Sequence, residues 1–193
     1  MKRTVVILDA GHGIDTPGKR SPVWADGSQL FEYEFNRDIC SRVAKGLVTL
    51  QLRYKFLVHE LNDISLQIRC NRANHIAKNE GDAILISIHG NAGGGTGWEC
   101  FTTPGNTRAD SLATFLCNAA EKEFPEKKMR FDYSDGDPDK ESQFYILKNT
   151  ICPAVLTENF FMDTEEDCRL MMSEEGRNRI ASLHIEAIKN YLL

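Results

Sequence analysis

The chain has 193 residues, of which 41% are hydrophobic and 26% charged, with a formal net charge of −5. That length favours a single domain over residues 1–193, with a core large enough to hold without disulfides. The acidic balance argues against a nucleic-acid partner, which asks for a basic stripe, and no stretch approaches the roughly 18 consecutive apolar residues of a membrane span.

Met1-Lys2-Arg3-Thr4 leads into Val5-Val6-Ile7-Leu8, which Asp9 stops at once. Four apolar residues fall short of the about 7–15 of a signal-peptide core. The segment reads as a buried strand, and the chain as one made in the cytoplasm without a signal peptide. Residues 14–29, rich in Gly, Pro, Ser and Asp, read as a surface loop. Phe31, Phe35, Ile39, Val43 and Leu47 then recur every four residues, the stripe of an amphipathic helix. Tyr54 to Val58 follows as a second strand.

Asp63 or Ser65 supplies the cap of a helix carrying Leu66, Ile68, Ala73 and Ile76 and ending at Gly81. Ala83 to Ile88 is a continuous apolar run, as expected for a strand covered on both faces. Trp98 to Thr102 reads as a strand, and Leu112 to Glu123 as a helix ended by Pro125. Ala154 to Thr157 is a last short strand. Ser173, with Glu174 and Glu175 behind it, opens a final helix with Ile180, Leu183, Ala187 and Ile188 inward. The alternation predicts an α/β fold, a twisted and mostly parallel sheet flanked by helices on both faces. The six cysteines, at 40, 70, 100, 117, 152 and 168, form no CxxC pair and read as reduced thiols packed like small apolar residues.

In open α/β sheets, sites gather where loops leave the carboxyl ends of strands. Three apolar runs end that way with a chemically capable residue just beyond: Val5–Leu8 into His12, Ala83–Ile88 into His89, and Ala154–Thr157 into Glu158. A hydrolytic zinc takes three ligands from His and carboxylate side chains and keeps one position open. His12 lies between Gly11 and Gly13, which allow the backbone to turn sharply there. A third ligand is expected from the start of the first helix, where Glu32 and Glu34 are both available. Glu32 shares a helix face with Asn36 one turn on, and spacing prefers it only weakly. Glu158 is placed to act as a general base. Asp9 or Asn91 is a candidate for orienting a metal ligand through a hydrogen bond.

Other features carry less. His59, His75 and His184 read as packing or surface residues, and Glu99 as structural. Asp135, Asp137 and Asp139 suggest calcium, but an EF-hand loop needs glycine at its sixth position and glutamate at its twelfth. Here those positions hold Lys140 and Ile146. The stretch from Pro125 to Gln143 reads as a flexible acidic loop near the substrate cleft.

The chain resembles the zinc-dependent N-acetylmuramoyl-L-alanine amidases of the Amidase_3 type. The resemblance rests on Ile7-Leu8-Asp9-Ala10-Gly11-His12-Gly13, on Glu32 with Asn36, and on Arg72-Ala73-Asn74. It continues through Ile86-Ser87-Ile88-His89-Gly90-Asn91-Ala92, Phe144-Tyr145-Ile146-Leu147 and Pro153-Ala154-Val155-Leu156-Thr157-Glu158. These occur in family order across nearly the whole chain. The resemblance implies one zinc ion (Zn2+) per chain held by His12, Glu32 and His89, with Glu158 as the catalytic glutamate. It settles Glu32 over Glu34. The implied reaction is hydrolysis of the amide between N-acetylmuramic acid and L-alanine in peptidoglycan, by Glu-assisted attack of water activated at the metal. The absent signal peptide points to an endolysin-like enzyme that reaches the wall after release, or to a cytoplasmic one. The same four residues also suit a zinc carboxypeptidase or deacylase acting on another amide, and product analysis on muropeptides separates these. A wall-binding module with a dead site would lack one of the four. Ala10 stands where the family often has proline, Gly90 where it often has alanine, and Asn159 where it usually has a small residue. Asn159 is therefore expected to reshape the substrate-side loop.

Overall fold

The computed structural model describes residues 4–193; residues 1–3, on which the reading of the extreme N-terminus partly rests, lie outside it. Six strands form one sheet in the order β2-β1-β3-β6-β4-β5. They are β1 (Val5–Ala10), β2 (Arg53–Phe56), β3 (Ala83–Asn91), β4 (Trp98–Thr102), β5 (Lys140–Glu141) and β6 (Ala154–Phe161). Only the β4–β6 pair is antiparallel; β1 with β2, β1 with β3, β3 with β6 and β4 with β5 are parallel. The expected α/β architecture, a mostly parallel sheet with helices on both faces, is what the chain adopts.

The helices are α1 (Glu32–Thr49), α2 (Leu66–Glu80), α3 (Arg108–Glu123), α4 (Tyr145–Lys148), α5 (Glu165–Met172) and α6 (Glu174–Leu192). Side chains alternate across each strand, and this sorts the core into two layers. Val6, Leu8, Ile84, Ile86, Ile88 and Val155 face the larger layer, packed against α1, α3 and α6. Val5, Ile7, Leu85, Ala154 and Leu156 face the smaller layer under α2 and α4. The second face is covered over less of its length, so a cleft opens beside α2 and α4 at the carboxyl ends of the parallel strands.

Several local readings need correcting. In α1, Phe35, Ile39, Val43 and Leu47 are buried, but Phe31 is the N-cap and is exposed. In α2, Ser65 rather than Asp63 caps the helix, and its buried face is Arg69, Cys70, Ala73 and Ala77. Leu66 and Ile68 are exposed instead. Strand β3 runs on through His89 to Asn91, and β6 through Glu158 to Phe161. Both residues were expected just past their strands, and both lie within the ladder. The register of β6 slips there, because His89 pairs with Glu158 but Asn91 with Phe161. That is a bulge of one extra residue beside the site. Phe160 absorbs it at φ 68°, a conformation costly for a bulky side chain, and packs fully buried against Phe124. The stretch 125–143 is tied to β4, by Met129 beside Trp98 and by β5 beside Phe101 and Thr102. All six cysteines are free, and only Cys152 is not fully buried.

His184, set aside as a packing residue, is fully buried in α6 between the Thr157 hydroxyl (3.0 Å) and the Ile180 carbonyl (2.7 Å). Burial lowers its pKa to about 4 despite the bond to Ile180. The unfolded chain therefore binds this proton more tightly than the folded one. The stability that neutral His184 contributes is full above about pH 6.5 and is lost as pH falls toward 4. Between pH 7 and pH 5 the wild type should lose about 2 kcal/mol of stability relative to His184→Gln. Urea midpoints of both proteins at the two pH values measure this, and an unchanged gap would show that His184 does not titrate in that window.

Candidate active site

The carboxyl ends of β1, β3 and β6 bring three of the four expected residues to one place, and the N-terminus of α1 brings the fourth. His12 Nε2 lies 3.4 Å from Glu32 Oε1, and His89 Nδ1 lies 3.2 Å from the same oxygen. The two imidazoles meet edge-on with ring centroids 4.9 Å apart. One potential ligand atom from each of His12, Glu32 and His89 falls within 4.8 Å of the others. Among the described residues no other group of three His, Cys, Asp or Glu side chains does so. The run Asp135, Asp137, Asp139 is not such a group. Asp139 is buried and accepts instead from the Thr102 hydroxyl.

The backbone turn at His12 differs from the expected one. Neither flanking glycine takes a positive φ; His12 itself does, at 62°. The glycines are needed for room. A Cβ on Gly11 would sit 2.2 Å from the His89 ring, and one on Gly13 would sit 2.0 Å from the Asp63 backbone. Arg37 secures the turn by donating to the carbonyls of His12 (2.9 Å) and Glu60 (2.8 Å). At Gly90 an added methyl would meet only the mobile end of Met171, at 2.7 Å, which can give way.

Glu32 is fully buried. The amide of Gly90 donates to its Oε1, and so does Asn36, which also binds the Gly11 carbonyl. Its second oxygen, Oε2, has no hydrogen bond among the described residues and lies 3.7 Å from Lys19. Burial opposes ionisation of Glu32, but the hydrogen bond with His89 and the nearby His and Lys charges hold its pKa down to about 2. Burial lowers His12 to about 4, whereas for His89 the bond to Glu32 and the charge of Glu158 outweigh burial and raise it. Glu34 turns away, as expected, and pairs with Arg177 at 2.8 Å.

Glu158 sits directly across the ladder from His89, so their side chains share a sheet face. Its Oε2 is enclosed and without a hydrogen bond among the described residues. Burial, opposed by His89 and reinforced by Glu32, raises its pKa to about 7. A cleft of about 570 Å³ opens over these groups, walled by Leu66, Phe144 and Tyr145 and floored by Leu156.

Three secondary assignments change. Asp9 touches no candidate ligand. It accepts from Arg69 (2.6 Å) and Ser87 (2.6 Å), forming a buried ion pair beneath the cleft. Asn91 donates to Glu99, and Asn36 takes the orienting role expected of these two. Asn159 points to the opposite side of the sheet, binding the His89 carbonyl and the Trp98 indole, and does not reach a substrate-side loop. Lys19 and Arg69, both lining the cleft, were not singled out from sequence. Arg69 replaces an apolar residue on the buried stripe of α2, and the position of a loop lysine has no periodic signature.

Replacing Gly11 with Ala would push the His89 ring out of place without changing the identity of any donor residue. The variant should keep its circular-dichroism spectrum and lose about 10- to 100-fold in zinc affinity. Chelator competition measures this, and unaltered affinity would show that the close approach to Gly11 does not set the position of His89.

A family described as N-acetylmuramoyl-L-alanine amidase matches residues 6–190. The sporulation-specific N-acetylmuramoyl-L-alanine amidase of Bacillus subtilis strain 168 is 28% identical over 95% of this chain and 66% of that protein. An endolysin of Bacillus phage SPP1 is 30% identical over 97% of this chain and 66% of that protein. The chain thus spans just under two thirds of the length of these curated relatives. Among solved structures, an N-acetylmuramoyl-L-alanine amidase from Clostridium difficile 630 superposes with a TM-score of 0.81 at 25% identity. That superposition covers 100% of this chain and 98% of the other. The matched residues contain α1, β3, β6 and all of β1 but Val5, elements that build the cleft, and the chain belongs to the N-acetylmuramoyl-L-alanine amidase family.

Proposed function

We propose that this chain is a zinc-dependent hydrolase of the amide between N-acetylmuramic acid and L-alanine in peptidoglycan. In this reading His12, Glu32 and His89 hold the metal and Glu158 carries protons. The observation that supports it most directly is the convergence of those three donors within 4.8 Å, with Glu158 in register beside His89. Two nitrogens and a carboxylate are a donor set suited to a hydrolytic zinc. A buried Glu32 Oε2 without a hydrogen bond is an atom that a cation would satisfy. When bound, zinc would polarise the amide carbonyl and lower the pKa of a nearby water.

The chain's own residues supply the rest. Asn36 and the Gly90 amide hold Glu32 in place, so the carboxylate meets the metal already oriented. Glu158, whose pKa burial brings toward neutrality, takes a proton from the attacking water and passes it to the departing alanine nitrogen. A bound cation would lower that pKa and favour its role as base. The apolar wall of Leu66, Phe144 and Tyr145 limits the water around the reacting amide. Residues 1–193 act in this reading as one catalytic unit. Among the described residues no helix is long and apolar enough to cross a membrane, and an endolysin-like role at the wall is part of the same proposal.

Elemental analysis of the purified protein, run beside a muropeptide digest, should find one zinc per chain and released peptides that begin with L-alanine. Zinc without that product would move the substrate to another amide, as in a carboxypeptidase or deacylase. Glu158→Gln should retain zinc while kcat falls about 10²- to 10⁴-fold. Full activity in that variant would remove Glu158 from the mechanism.

A further inference from the structure

The substrate proposed above has two unlike halves. The muramoyl half has no charged carboxylate left once its lactyl carboxyl is tied into the amide. The peptide half ends in a free carboxylate. Recognition of the second half calls for a cation at one end of the cleft, near the reacting groups but outside them.

The sheet carries such a group. In the antiparallel β4–β6 pair, Glu99 stands directly opposite Glu158 and shares its face. It extends the line His89–Glu158 by one strand. Asn91 donates to Oε1 of Glu99 at 2.5 Å. The other oxygen accepts from two cations at once, Arg130 Nε at 2.9 Å and Lys140 Nζ at 2.5 Å. Among the described residues neither cation has another ion pair. Here one carboxylate faces two cations, beside a site that brings Glu32 and Glu158 together. Both side chains remain more than a quarter exposed, at 29% and 27%.

Aromatic rings hold them there. The Arg130 guanidinium lies 5.1 Å from the Phe161 ring centroid, and the Lys140 ammonium 5.8 Å from that of Phe101. Phe101 in turn meets Phe144 edge-on at 5.1 Å, and Phe144 is part of the cleft wall. The two cations thus lie behind the Phe144 wall of the cleft, one ring contact away, and are already ordered, so little conformational entropy is lost when they bind a ligand.

We propose that Arg130 and Lys140 form a carboxylate-binding subsite for the peptide half of the substrate. The substrate then lies across the sheet with its peptide toward β4 and β5 and its sugar toward the β1 side. This rests on the amidase reading and adds a direction to it.

The test uses two muropeptides that differ only in ending as a carboxylate or a carboxamide. The wild-type enzyme should favour the carboxylate by about 10-fold in kcat/KM, the range of one charge-assisted hydrogen bond. Arg130→Gln/Lys140→Gln should bring that ratio to about one, acting through KM. Glu99→Gln, which releases both cations, should raise the ratio above the wild-type value. A purely structural role for the cluster would change both substrates equally and leave the ratio alone. A wild-type ratio of one, a ratio that survives the double substitution, or a ratio that falls in Glu99→Gln overturns the subsite. A wild-type enzyme that cleaves neither muropeptide overturns the amidase reading, and the subsite with it.

Discussion

A fully buried carboxylate, Glu32, is the constraint around which this end of the molecule is arranged. Taking an ion of that kind out of water costs several kcal/mol unless partners replace its hydration. Here they come from every neighbouring element: an amide from β3, Asn36 from the same helix, and imidazoles from β1 and β3. Each partner needs its own support. Arg37 fixes the turn at His12, and the missing side chain of Gly11 admits the His89 ring. The strained φ of His12 is thus held by a surrounding structure that leaves it little alternative. One oxygen of Glu32, Oε1, meets both imidazoles, and the other, Oε2, has no hydrogen bond among the described residues and faces Lys19.

The parallel ladder β1–β3–β6 converts that local arrangement into a site. Its register sets Asp9 beside Ser87 and His89 beside Glu158, so chemistry separated by up to 149 positions shares one face. The bulge at Phe160 ends this regularity just after Glu158 and redirects the chain into α5. The larger core layer is closed by three long helices, whereas α2 and the single turn of α4 cover only part of the other face. The cleft exists because of that imbalance.

Much of this was legible in the sequence because apolar runs that stop at a polar residue mark buried strands whose ends meet. That logic located His12, His89 and Glu158 without structural information. The choice between Glu32 and Glu34 needed either family resemblance or the structure, because periodicity separates their faces without saying which meets the strands. The sequence places the ends of these strands at Ile88 and Thr157, where the apolar runs stop, whereas the ladder continues through the polar His89 and Glu158 to Asn91 and Phe161. Two-residue β5 and four-residue α4 are too short to carry a periodic signal, and eight-residue α5 shows mainly an acidic first turn. Glu99 was read as structural because its partners, Arg130 and Lys140, lie 31 and 41 residues away in a stretch that composition describes only as acidic.

The direction of β4 has one more consequence. The proposed metal donors end at residue 89, and the proposed proton carrier arrives at 158. Between them, β4 runs against β6 and carries the chain away from the cleft into α3. Capture of an ion and transfer of a proton are therefore supplied by separate stretches of sequence, joined only through the β3–β6 ladder. Mutation can remove one and spare the other. A descendant that lost Glu158 would keep the three convergent side chains His12, Glu32 and His89 intact, because nothing in their placement passes through residue 158.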